Sequence, residues 1–345
     1  MIKEIGYNSK YLHTDIVRQC FQDNTYNFVD KQHTGNGFTT GFLKLTPTHE
    51  YQSNIIIVPN RKVVESKKFI YDATKNKDVT IGFFFGDETS DRLEFGKFDV
   101  MMFVVDSFLN YLHTVKANIY SVDKILIDEA HSILIQSPFR KPLVGFTELI
   151  RKEFKRNAIV SVTATPMLFT GVDIKLVTKN IEQRKIHISQ HQGNSLKRLQ
   201  DSLAKGNNCT IATQDARILK KLSDSKNKLT ANIQVGTTLF QKIVETVDLT
   251  VSEDAKLTII SSAGFEGFDI DNGINDVFIF EDRAFDYQTF YSQNIPQIIG
   301  RSRKGTGYIE WCRMSNSSRT EMLSKEAMIK KAGSKKISFE KKMTD

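Results

Sequence analysis

Cysteine is scarce: Cys20, Cys209 and Cys312 are odd in number and far apart. That spacing excludes a disulfide framework and a paired cysteine metal site, and leaves three small buried or neutral residues. No apolar run approaches the about 20 residues that cross a bilayer as a helix, so no membrane partner is expected. The opening residues are polar and mixed in charge. They resemble neither a secretory signal nor a transit peptide, and a cytoplasmic location is expected. His33, His49, His113, His187 and His191 stand at no metal-ligand spacing with acidic or cysteine partners. Repeats and low-complexity tracts are missing, apart from a lysine-rich end.

What is present describes an ordinary globular chain with a basic bias. Hydrophobic residues make up 40% and charged residues 26% of the 345, which is room for about two domains. A net charge of +8 suits a polyanionic partner, most commonly nucleic acid. Residues 319–345 carry eight basic side chains against four acidic ones, a solvated face that also suits added phosphate contacts.

The most informative stretch runs from Lys124 to His131. Ile125, Leu126 and Ile127 form an apolar run without alternation, as in a strand buried on both faces of a parallel sheet. In such sheets ligands bind beyond the carboxyl ends of the strands, where Asp128 and Glu129 stand. One carboxylate there suits holding Mg²⁺ and the next suits orienting an attacking water. A solvated acidic turn is the bland alternative.

The rest of the chain supplies a matching frame. Residues 26–30 read as a strand leading into Thr34, Gly35, Asn36, Gly37, Phe38, Thr39 and Thr40, the strand, glycine loop and helix order of a phosphate cradle. Thr39 stands where a hydroxyl would ligate Mg²⁺. The lysine expected just before it is missing, and Phe38 is there instead. Further strands are expected at 54–58, 79–85, 99–105 and 158–162, with a basic helix at 61–68. A second series follows at 209–213, 257–261, 276–280 and 307–312, with a helix at 215–223. Strands alternating with helices argue for parallel, doubly wound sheets. A polar stretch at 180–206 marks the junction, giving expected units of 1–185, 186–315 and a basic tail from 316.

Taken together, seven stretches resemble the superfamily 2 helicases and translocases, specifically those with a DEAH box. They are residues 32–39, Ile57 to Asn60, 99–109, Asp128 to His131, Thr163 to Thr165, 262–269 and 297–304, in that order, and the resemblance as a whole covers roughly residues 20–312. The resemblance implies an α/β protein of two RecA-like domains, each a mainly parallel sheet flanked by helices. ATP and Mg²⁺ would lie in the cleft between them, with nucleic acid across both, DNA ahead of RNA.

Carried over by motif, Gly35, Gly37 and Thr39 would cradle phosphate and metal. Asp128 would hold the metal and Glu129 activate water. His131, Thr163 and Thr165 would couple the nucleotide to the nucleic acid, and Gly267 and Asp269 would sense it from the second domain. Gln297 and Arg301 would reach across the cleft, with Arg303 or Lys304 as the second cation. The chain's shortness resembles compact viral or phage members, implying a host cytoplasm.

Phe38 leaves three alternatives open. Lys31 or Lys44 supplies the absent charge, or the loop backbone binds ATP alone and turns it over slowly. Otherwise the domain keeps only its shape, and the protein grips nucleic acid or a protein partner without turnover.

Overall fold

The computed structural model describes residues 2–9, 11–21, 25–32, 35–61, 63–65, 67–68, 79–85, 94–136, 143–166, 171–178, 184–214, 218, 233–235, 256–261, 270, 272–282 and 294–314. The expected helix at 215–223 falls almost wholly outside them, and 262–269 and the basic tail from 315 fall entirely outside.

Eight strands build a first sheet: β1 (Lys3–Tyr7), β2 (Tyr26–Asp30), β3 (Ser53–Val58), β4 (Ile81–Phe84), β5 (Val100–Val104), β6 (Val122–Ile127), β7 (Ala158–Thr163) and β8 (Ile174–Thr178). Their spatial order is β1-β8-β2-β7-β6-β3-β5-β4, and every neighbouring pair is parallel. The central strands are buried along their whole length, on both faces, in keeping with sequences dominated by apolar residues.

Alternate side chains feed two cores. Ile56, Val58, Met102, Leu126 and Val160 pack with Val17 of α1 (Thr14–Gln19) and with Phe38 and Phe42 of α2 (Phe38–Leu43). On the other face Ile55, Ile57, Phe103, Ile125 and Ile127 meet α3 (Val105–Ala117), α4 (Ala130–Gln136) and α5 (Phe146–Glu153). In α3, Phe108, Tyr111 and Val115 recur at helical spacing and are buried. Phe103 joins that face to the sheet, with its ring 5.6 Å from Phe108 and 4.7 Å from Phe84. Each such fully buried aliphatic or aromatic side chain contributes about 1.5–3 kcal/mol.

A second parallel sheet comprises β9 (His187–Ser189), β10 (Asn208–Thr213), β11 (Ile233–Val235), β12 (Leu257–Ile260), β13 (Asn275–Asp282) and β14 (Thr306–Met314). Its order is β11-β12-β10-β13-β14-β9. Leu199 of α6 (Gln192–Ala204) packs on one face, and Ile295, Ile298 and Ile299 of α7 (Asn294–Ile299) pack on the other. The α/β class and the two parallel sheets agree with expectation. The polar stretch read as a junction contains β9 and α6. All three cysteines are free and buried; burial pushes the Cys20 thiol up to about 12 and that of Cys209 to about 11.

Candidate nucleotide site

Strands β2, β7 and β6 are neighbours, and their carboxyl ends carry the charges. Lys31 follows β2, Thr163 closes β7, and Asp128 and Glu129 follow β6. The Lys31 N–H donates to the Thr163 carbonyl at 2.8 Å, and the Asp128 N–H donates to the Ile57 carbonyl at 2.9 Å. The backbone holding these side chains thus continues the sheet ladder. Glu129 has a left-handed φ of 48°. A non-glycine residue held there costs of order 1–3 kcal/mol, a strain that clusters at functional sites.

The side chains converge in a closed cluster. The Lys31 ammonium lies 2.9 Å from Glu129 Oε1 and 3.3 Å from Asp128 Oδ1, and the Thr39 hydroxyl donates to Asp128 Oδ2. Lys31 is 4%, Asp128 3% and Glu129 6% exposed. Burial alone would lower the Lys31 pKa, but attraction to Asp128 and then Glu129 outweighs it and the net shift is upward. Burial likewise works to raise that of Glu129, and Lys31, His131 and Arg301 together bring it below the ordinary value. Removing one partner from such a buried set costs about 3–5 kcal/mol.

The glycine loop is braced around this cluster. Gly35 and Gly37 have φ of 72° and 83°, a region that favours glycine. The Asn36 side-chain amide donates to the Lys31 carbonyl at 2.9 Å, and its Oδ1 accepts from the Phe38 N–H at 3.3 Å. The Phe38 ring points away from the cluster into the first core and is 1% exposed. The position where a lysine was expected is therefore a core position. Thr40 is exposed on α2, and Lys44 is exposed at the end of that helix. Thr34, Gly267 and Asp269 lie outside the described residues.

The second sheet contributes through α7 and the turn after it. Gln297 Nε2 stands 3.5 Å from Glu129 Oε2. Arg301, 4% exposed, donates to the Gln297 carbonyl at 3.2 Å and to Gln297 Oε1 at 3.3 Å. Arg303 presses its guanidinium against Gly35, in the space that a side chain there would fill, and donates to the Gly300 carbonyl at 3.2 Å. Lys304 is exposed. Of the two candidate second cations, it is Arg303 that meets the loop.

A polar relay leaves the cluster on the first sheet. His131, 1% exposed, has Nδ1 2.8 Å from the Thr163 hydroxyl and 3.6 Å from Glu129 Oε2. Thr163 Oγ1 accepts from the Thr165 N–H at 3.0 Å and lies 3.2 Å from the Thr165 hydroxyl. Ser132, whose hydroxyl is 3.3 Å from His131 Nε2, was not anticipated. Its only signal was its place directly after the DEAH string.

The donor set fits a nucleotide with Mg²⁺. Magnesium takes hard oxygen ligands and keeps several waters, so one carboxylate and one hydroxyl suffice on the protein side. Asp128 and Thr39 offer that pair in contact, and among the described residues no larger His, Cys, Asp and Glu cluster competes for a metal. Lys31, Arg301 and Arg303 would supply positive charge for phosphate.

A shallow depression of about 410 Å³ lies elsewhere, on the second sheet, lined by His187, Ser189, Asn194, Arg198, Tyr308 and Glu310. Its Glu310 carboxylate is already satisfied by Ser195, Arg198 and Tyr308.

The sequence matches no protein-family model and no curated protein. Solved structures do share the fold. A variant of Saccharomyces cerevisiae Dbp5 bound to a Gle1 variant and IP6 superposes with a TM-score of 0.61 at 12% identity, covering 91% of this chain and 85% of that one. The Dbp5 variant bound to RNA and ADP BeF3 gives 0.61 at 13% identity over 88% and 85%. Mycobacterium smegmatis helicase Lhr, bound to ssDNA and AMP-PNP, gives 0.53 at 14% identity over 85% of this chain and 44% of its own. The chain thus has the two-sheet, RecA-like fold of nucleic-acid helicases. Among the described residues no helix is long and apolar enough to cross a membrane.

Proposed function

We propose that this chain is an ATP-driven motor on nucleic acid, a superfamily 2 helicase or translocase of the DEAH-box type. One observation carries the reading. Gln297 and Arg303, both from the second sheet's unit, meet Glu129 and Gly35 of the first, and Arg301 is hydrogen-bonded to that same Gln297. A site completed by both units is what turns nucleotide chemistry into relative movement.

In this reading Asp128 and Thr39 hold Mg²⁺, which neutralises charge on the phosphates. Glu129, oriented by Gln297, accepts the proton of the attacking water. Arg301 and Arg303 stabilise the charge that develops on the transferring phosphoryl group. Gly35, Asn36 and Gly37 form the loop at the phosphates, flanked by Thr34 and Thr40, while Gly267 and Asp269 enter by their motif alone. The His131–Thr163–Thr165 relay carries the state of Glu129 toward the nucleic-acid side.

Dbp5 and Lhr structures hold RNA or ssDNA together with nucleotide, and the net charge of +8 suits either polymer. Just past the carboxyl end of β4, the Phe85 ring lies 5.0 Å from the Arg61 guanidinium carbon and 5.9 Å from the Lys68 ammonium. That combination suits backbone and base-face contacts without base reading.

The test is ATP hydrolysis with and without single-stranded DNA or RNA. Turnover stimulated by one polymer, and reduced at least about 100-fold by Glu129→Gln, is the expected result. Tight MgATP binding with no turnover on either polymer would instead establish a helicase-shaped binding protein.

A further inference from the structure

Nothing at position 38 supplies the ammonium that a phosphate loop normally sets against the β and γ phosphates. We propose that Lys31 does this work from the opposite end of the loop, and that its ion pairs with Asp128 and Glu129 guard the metal and water positions until nucleotide draws it away. The inference rests on the nucleotide reading and names a residue and a regulation within it.

The geometry points to Lys31 over the other candidate. Lys44 is exposed at the far end of α2. The Lys31 backbone is fixed at the base of the loop by Thr163 and by the Asn36 amide, and its ammonium is already inside the cluster. Phe38, filling the core, has no route to the phosphates. Relocating the cation across the loop therefore conserves charge in the site while the ring packs the domain.

These contacts imply an exchange. The ammonium sits between Asp128 and Glu129, so it neutralises the metal ligand and the water-activating carboxylate together. Mg²⁺ arriving alone must displace a buried ion pair, which a divalent ion on a single carboxylate and hydroxyl does poorly. MgATP offers Lys31 phosphate oxygens in compensation, and its flexible four-carbon stem allows the move. Glu129 is thereby released only when nucleotide is present. Arg301, hydrogen-bonded to the Gln297 that reaches Glu129, retains one positive charge in the site after the exchange.

The test measures binding rather than turnover, by calorimetry with Mg²⁺ and AMP-PNP. Lys31→Gln keeps an amide able to donate to the carboxylates and weakens binding about 100-fold, the factor set by one charge-assisted hydrogen bond. Glu129→Gln loosens the clamp and tightens binding about tenfold, and the gain disappears when Lys31→Gln is added. Mg²⁺ alone raises the melting temperature of Lys31→Gln and leaves that of the wild type unchanged. Binding by Lys31→Gln within about threefold of wild type overturns the proposal while leaving the nucleotide site standing. Wild type that binds no nucleotide overturns the site itself. If Lys31→Gln does not fold, the Glu129→Gln arm decides, and unchanged or weaker binding there overturns the proposal.

Discussion

Phe38→Lys looks, on sequence, like the repair of a broken phosphate loop, and the structure makes it a damaging change. The ring is 1% exposed, in one cluster with Phe42, Val17 and Leu45. Emptying such a site of its aromatic costs about 3–5 kcal/mol. A lysine refills part of the volume but must strand its ammonium in apolar surroundings or unseat the start of α2 to reach water. A loss of about 3–5 kcal/mol is a large part of the 5–15 kcal/mol that holds a typical domain folded. It corresponds to a melting temperature lower by about 6–20 °C for a unit of this size. Phe38→Leu, which keeps the position apolar, costs below about 1.5 kcal/mol and serves as the control. Thermal and urea unfolding of the two variants, alongside calorimetry with MgATP, give the comparison. Wild-type stability in Phe38→Lys together with tighter MgATP binding would refute the assignment of this ring to the core, and with it the argument that Lys31 had to take over.

Two further outcomes follow from buried polar groups. Thr163→Val deletes the hydroxyl that accepts from the Thr165 N–H and contacts His131. Losing those buried contacts lowers stability by about 1–3 kcal/mol, read as a lower urea midpoint, and an unmoved midpoint would mean the relay is not formed. Glu310 supplies a pH dependence. Burial works to raise its pKa, but hydrogen bonds from Arg198, Ser195 and Tyr308 hold it below the ordinary carboxylate value. A folded pKa below the unfolded one gives stability that is complete above about pH 4.3 and fades as pH falls through the folded value. The stability gap between wild type and Glu310→Gln is therefore widest near neutrality and narrows as the pH falls through the lowered folded pKa, and a gap that stays constant with pH would contradict the ion pair.

The strands that read clearly in the sequence are those whose burial concentrates apolar residues in one short stretch. β3, β5, β6 and β7 are of this kind, and each lies within a residue or three of its expected bounds. β1, β8 and β9 went unread because they are not buried throughout: β1 buries only Ile5 and Tyr7, β8 alternates, and β9 is a three-residue edge strand with no buried residue.

At the site, the Asp128–Glu129 pair was legible because two carboxylates at the end of an apolar strand have few other uses. The direction of a side chain was not. Sequence spacing left Lys31 and Lys44 equivalent, since nothing local says that an ammonium reaches carboxylates 97 and 98 positions away. Phe38 showed as a missing lysine because a motif records which residue stands at a position, and not that its ring turns into the core.

A nucleotide site shared by two units depends on Arg301, which the second unit supplies. The measurement is steady-state ATP turnover of Arg301→Gln in saturating nucleic acid, beside MgAMP-PNP affinity of the same variant. Loss of a transition-state arginine predicts turnover lower by about 1,000-fold or more, with nucleotide affinity changed by less than about tenfold. Turnover equal to wild type would show that Arg301 takes no part in the chemistry and would contradict its place in the shared site.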